Sequence, residues 1–123
     1  MATRVLIVDD ALYMRSMIRD ILTATGRFEI VGEASNGREA VDRFQELGPE
    51  LVTMDIVMPE LDGIEATREI LSRAPGATII MCSALGQEAL VIESIAAGAK
   101  DFIVKPFTPE KVLKVVDNVL KAR

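Results

Sequence analysis

The sequence predicts an α/β fold in which a five-stranded parallel sheet is covered on both faces by five helices. Three observations carry that reading. Runs of strand character and runs of helical periodicity alternate five times along the 123 residues. The joints between them are short and hold Gly, Pro or helix-capping residues, with no linker, repeat or low-complexity stretch. The first run, Val5-Leu6-Ile7-Val8, is apolar without alternation, as a strand is when both of its faces are buried. The length suits one domain over residues 1–123.

Taken in order, Arg4 to Val8 forms the first strand and Asp9-Asp10 ends it. Met14, Met17, Ile18, Ile21 and Leu22 recur at helical spacing, with Met14 and Met17 read as core, and Gly26 marks the stop. Phe28 to Ala34 is the second strand. Asn36 with Glu39 three residues on starts a helix whose inner stripe is Ala40, Val41, Phe44 and Leu47, ended by Gly48-Pro49. Leu51 to Met54 is the third strand. Asp62 with Glu65 opens the next helix as a cap rather than a ligand, and Ile64, Thr67, Ile70 and Leu71 face inward until Pro75-Gly76. Thr78 to Cys82 is the fourth strand, closed by Ser83. An alanine-rich helix then runs from about Gln87 to Ala97 and stops at Gly98. Asp101 to Val104 is the fifth strand and ends at Lys105-Pro106. Thr108 caps the last helix, Pro109 suits its first turn, and Val112, Leu113, Val116, Val119 and Leu120 form its stripe.

Composition removes several function classes. With 19 acidic against 14 basic residues the net charge is −5, which argues against nucleic acid as a partner and suits a cation site or a basic partner surface. The chain has no histidine, which excludes the usual zinc sites, His-based triads and an internal phosphohistidine. No stretch approaches the roughly 20 apolar residues of a membrane span, and the N-terminus lacks the apolar region of a signal peptide. A cytoplasmic protein with no membrane partner is the expectation. Cys82, alone in an apolar run, reads as a small core residue.

The chemistry collects where strands end. In a parallel sheet all carboxyl ends share one edge, so Asp9, Asp10, Asp55, Ser83 and Lys105 belong to the same rim. Carboxylates that converge repel each other unless protonated or given a cation. Mg2+ answers that need, because it takes one or two carboxylates, keeps waters and brings a phosphate. Asp55 then reads as a phosphoryl acceptor. Lys105 can pair with a carboxylate at rest and with a phosphoryl oxygen after transfer, and the Ser83 hydroxyl can donate to the same group. Two other classes are weaker. An aspartyl phosphatase of the haloacid-dehalogenase kind needs Asp-x-Asp, and Val57 lacks the second acid. A flavin carrier would set its cofactor phosphate against Asp9-Asp10.

Val5 to Asp10 (VLIVDD), Met54 to Gly63 (MDIVMPELDG), Ser83-Ala84 and Val104-Lys105-Pro106-Phe107 resemble the receiver domain of two-component response regulators over essentially the whole chain. That family is itself a known case of the flavodoxin-like strand order 2-1-3-4-5, in which a crevice opens between strands one and three. The resemblance implies that Asp55 is the phosphoacceptor. It implies Mg2+ bound by Asp9, largely through water, by Asp10 directly, by Asp55, and by the Val57 backbone carbonyl. Lys105 would hold a phosphoryl oxygen across a cis Lys105-Pro106 bond. Ser83 and Phe102 would form the switch, Ser83 moving to the phosphoryl group and Phe102 swinging inward. Val57 and Leu85 are apolar where chemotaxis members often carry polar groups, and Phe102 stands where many have Tyr.

Ala11 to Arg15, Cys82 to Gln87 and Ala97 to Phe102 resemble chemotaxis regulators of the CheY type in particular. The implied protein is a stand-alone, monomeric response regulator and no separate enzyme, although it assists its own phosphorylation and dephosphorylation. Its implied partners are a chemotaxis histidine kinase as donor, a flagellar motor switch protein as target, and a phosphatase. The alternative is a phosphorelay intermediate that passes the phosphoryl group to a histidine phosphotransfer protein.

Overall fold

The chain runs β1 (Thr3–Val8), α1 (Leu12–Thr23), β2 (Phe28–Ala34), α2 (Gly37–Leu47), β3 (Leu51–Met54), α3 (Gly63–Arg73), β4 (Ile79–Ser83), α4 (Glu88–Ala96), β5 (Asp101–Val104) and α5 (Pro109–Lys121). The computed structural model describes residues 2–84 and 88–122, so Leu85 and Gln87, on which two expectations fell, lie outside the described residues. All pairings are parallel, in the order β2-β1-β3-β4-β5. The expected sheet and its order are both present. Among the described residues no helix is long and apolar enough to cross a membrane.

Because neighbouring residues on a strand point to opposite faces, the apolar runs feed two cores. Val5, Ile7, Leu51, Ile80, Cys82 and Ile103 pack with Ile18 and Leu22 of α1 and Val112, Val116 and Val119 of α5. Leu6, Val8, Val52, Met54, Ile79 and Met81 pack on the other face with α2 and α3, through Ala40, Val41, Ile64 and Ile70. At α4, by contrast, only Ser94 is buried among the described residues.

The local signals act where they were expected. Asn36 Oδ1 accepts from the Glu39 amide at 2.7 Å, Asp62 Oδ1 from the Glu65 amide at 2.9 Å, and Thr108 Oγ1 from the Lys111 amide at 3.2 Å. Each bond satisfies one of the amides that a helix start leaves without a partner. Boundaries move slightly: Ser83 is the last residue of β4 rather than the one after it, and α1 stops at Thr23 with a turn leading to Gly26.

Met17 is a correction. It is 42% exposed, whereas Met14, Ile18 and Leu22 are buried. Those three form an i, i+4 row, and Met17 lies roughly 100° round the helix from the centre of that row, on its shoulder.

Thr53 has the one buried side-chain oxygen with no partner among the described residues. Leaving such a group unsatisfied costs about 1–3 kcal/mol. Thr53→Val keeps the shape and removes the orphan, so urea unfolding should show equal or greater stability, by roughly 1 kcal/mol. A clear loss of stability would show that the hydroxyl has a bound water.

Candidate functional site

The sheet order sends the chain from β1 to one neighbour through α1 and brings it back on the other side of β1 through α2. A crevice therefore opens beyond the carboxyl ends of β1 and β3. Val8 and Met54 are paired in register, so the residues that follow them, Asp9 and Asp55, emerge side by side. The Asp55 amide donates to the Val8 carbonyl at 3.0 Å, and the Asp9 amide to the Ala34 carbonyl at 3.0 Å. Both carboxylates are thus carried on backbone still pinned to the sheet.

Carboxylate oxygens of Asp9, Asp10 and Asp55 lie within 4.8 Å of one another. Asp9 and Asp55 are 1% and 6% exposed, and Asp10 faces solvent. Lys105 Nζ enters the same space, 2.6 Å from Asp9 Oδ2 and 3.6 Å from Asp55 Oδ1. Its backbone amide donates to the Ser83 carbonyl at 2.9 Å, which ties the end of β5 to the end of β4. The Lys105-Pro106 bond is cis, as the resemblance implied.

Electrostatics follow from three acids facing one ammonium. Burial pushes Asp55 up to about 6; Lys105 opposes it, while Asp9 and Asp10 add to the rise and the Ile56 amide counters it. Burial also works against the charge on Lys105, but its hydrogen bond to Asp9 and the charges of Asp55 and Asp9 together hold the ammonium above its ordinary value. Asp55 Oδ1 accepts from the Ile56 amide at 2.8 Å and faces Lys105, while Oδ2 makes no such contact among the described residues. Burial pushes the neighbouring Cys82 thiol up to about 12, in keeping with an unreactive core residue.

Ser83 is buried at the end of β4 and Phe102 is half-buried against the larger core, on the strand that leads to Lys105. Val57 stands on the rim with its side chain 58% exposed. Asp62 caps α3 and is not part of the acidic cluster. Glu60, in the loop between them, has φ 68°, a region uncommon for a residue with a Cβ.

Two further contributors came without notice from composition or periodicity. The Ile56 amide is backbone and leaves no mark on the sequence. Gly63 did leave a signal, since a glycine at the first position of a helix is a poor helix former. Its amide donates to the Ile56 carbonyl at 2.8 Å, and a Cβ there would stand 1.8 Å from the Asp55 carbonyl oxygen.

Residues 5–117 match the response regulator receiver domain. The chain is 59% identical over 121 residues to the chemotaxis protein CheY of Thermotoga maritima, covering 98% of this chain and 100% of that one. It is 58% identical over 120 residues to the chemotaxis protein CheY of Bacillus subtilis, covering 98% and 99%. Among solved structures it is similar to the CheX-CheY-BeF3-Mg+2 complex from Borrelia burgdorferi, with a TM-score of 0.92 at 40% identity over 96% of this chain and 89% of that one. With a match of that extent on a sheet of this order, the chain belongs to the response regulator receiver domain family.

Proposed function

We propose that the protein is a chemotaxis response regulator of the CheY type, phosphorylated on Asp55 by a histidine kinase and read by a flagellar motor switch protein. The observation that carries this is the meeting of Asp55 with Asp9, Asp10 and Lys105 at the carboxyl edge of the sheet. In the transfer, an Asp55 carboxylate oxygen bonds to the phosphorus of a phosphohistidine. The phosphorus–nitrogen bond breaks, and the donor imidazole leaves with the electron pair and takes up a proton. Oδ2 is the oxygen placed to attack, because Oδ1 is occupied by the Ile56 amide.

The donor set fits Mg2+: all-oxygen, two acids buried and one open to solvent, and more negative charge than Lys105 offsets. Asp9, Asp10, Asp55 and the Val57 carbonyl would hold the ion. When bound it neutralises charge building on the phosphoryl oxygens. Lys105 holds one of those oxygens, and it is already poised beside both buried acids. The chain itself supplies the acceptor and its surroundings, so it acts as a phosphoacceptor rather than a separate enzyme, with a phosphatase among its partners.

Output needs a two-state element that the phosphoryl group can bias. Ser83 would turn toward that group and Phe102 would follow inward. The surface beside them already exposes Ile92 and Ile95 on α4 and Val104 on β5, an apolar face suited to a partner helix. The affinity of a motor-switch peptide, measured with and without beryllium fluoride and Mg2+, tests the reading. Wild type should bind more tightly in the activated state. Ser83→Ala should accept the mimic yet lose much of the coupling, on the order of 1–3 kcal/mol. Equal affinity in both states for wild type would sink the motor-switch assignment, and transfer to a histidine phosphotransfer protein would favour the relay. Unchanged coupling in Ser83→Ala would sink only the switch.

A further inference from the structure

Arg15 reaches back from α1 to the loop that carries the acidic pair. Its Nη1 donates to the backbone carbonyl of Asp9 at 2.6 Å, and its Nε donates to Glu33 Oε1 at 2.8 Å. Glu33, near the end of β2, also takes Arg19, whose Nη2 lies 2.5 Å from Oε2. The Arg15 side chain is 15% exposed, against 42% for Arg19. Burial raises the tendency of Glu33 to hold a proton, but the hydrogen bonds and charges of Arg19 and Arg15 outweigh it and keep that carboxylate ionised below its ordinary value.

The loop in this grip has few other restraints. Helix α1 begins at Leu12, and its N-cap residue, Ala11, provides no side-chain cap. The Asp9 carboxylate takes the Ala11 amide at 2.9 Å and Lys105 at 2.6 Å, which fixes the side chain of that residue. Asp10 is exposed, and its own carboxylate makes no hydrogen bond among the described residues. Of the two peptides that flank Asp10, the Asp9 carboxylate holds the one that follows through the Ala11 amide, and Arg15 holds the one that joins Asp10 to Asp9 through its carbonyl. Rotation of this peptide would swing the Asp10 carboxylate away from Asp55.

We propose that Arg15 is a positioning residue for the cation site: anchored by Glu33, it sets Mg2+ affinity by fixing the Asp9–Asp10 peptide. The proposal rests on the Mg2+ reading of the crevice. Two effects of Arg15 pull in opposite directions, which makes its role measurable. As a nearby positive charge it disfavours a bound cation; as a clamp it favours one. A guanidinium satisfies two acceptors at fixed angles, which a lysine ammonium in the same place does not.

The test is calorimetric titration of Mg2+ into wild type, Arg15→Gln, Arg15→Lys and Arg19→Gln at one pH and ionic strength, with thermal melts of each in chelator. Loss of a group that orients a ligand commonly weakens metal binding by 10-fold or more, so Arg15→Gln should weaken Mg2+ on the order of 10-fold. Arg15→Lys, with its charge intact, should weaken it in the same direction. Arg19→Gln removes the same charge from the same Glu33 without touching Asp9, and should leave affinity within about 2-fold. Unchanged or tighter binding in the Arg15 variants overturns the proposal, as does a lowered melt with unchanged affinity. If Arg15→Gln does not fold, Arg15→Lys decides alone. Absence of Mg2+ binding in wild type overturns the cation site and this inference with it, whereas wild-type binding matched by the Arg15 variants overturns this inference only.

Discussion

Asp55→Asn should abolish phosphoryl acceptance and, in the absence of metal, make the fold more stable. A small phosphodonor with Mg2+ should add one phosphoryl group to wild type, located by intact mass and site mapping, and none to the variant or to wild type in excess chelator. The stability gain comes from the charge. Burial, reinforced by Asp9 and Asp10, lifts Asp55 from 3.8 to about 6 against the pull of Lys105. Between those values the folded chain keeps a proton that the unfolded chain has released. Stability from this group is therefore greatest below the window and falls as pH rises through it, by on the order of 3 kcal/mol. The amide has no charge to lose, and its Oδ1 can still accept from the Ile56 amide as Asp55 Oδ1 does. Metal-free melts of the two proteins should diverge as pH rises from about 3.8 to about 6, the variant melting higher above that window. Labelling of Asp55→Asn would sink the acceptor assignment, and parallel pH–stability curves would sink the electrostatic account.

Gly63→Ala is the substitution expected to damage the fold most. The new Cβ would meet the Asp55 carbonyl oxygen at 1.8 Å and its carbon at 2.8 Å, and both are backbone that cannot turn aside. Either α3 moves off the sheet edge or the end of β3 shifts, and each breaks the bond from the Gly63 amide to the Ile56 carbonyl. A loss of about 3 kcal/mol follows from overpacking of this kind, with weaker phosphoryl acceptance because Asp55 is displaced. Gly26→Ala is the contrast: φ is 72°, but nothing lies within 4 Å, so only the left-handed backbone opposes it, at about 1 kcal/mol. Equal losses in urea unfolding would show that the close approach at Gly63 is not what requires glycine there.

The sequence by itself determined the features whose causes lie within a few residues. Helix starts at Asn36, Asp62 and Thr108 were legible because cap and amide are three residues apart. The strands were legible from unbroken apolar runs buried on both faces. Once such strands alternate with helices the sheet must be parallel, and a parallel sheet sends Asp9, Asp55, Ser83 and Lys105 to one edge. Tertiary structure decided what depends on partners far apart in the chain. Lys105 sits closer to Asp9 than to Asp55, a choice between carboxylates 96 and 50 positions away that no local pattern records. Met17 shared its spacing with the core methionine Met14 and was placed outside by the angle at which α1 lies on the sheet. Gly63 and Arg15 act on backbone carbonyls, of Asp55 and Asp9 in turn. A carbonyl is the same at every residue, so its partners have no side-chain signature, and only the packing of helix against strand end brings them within reach.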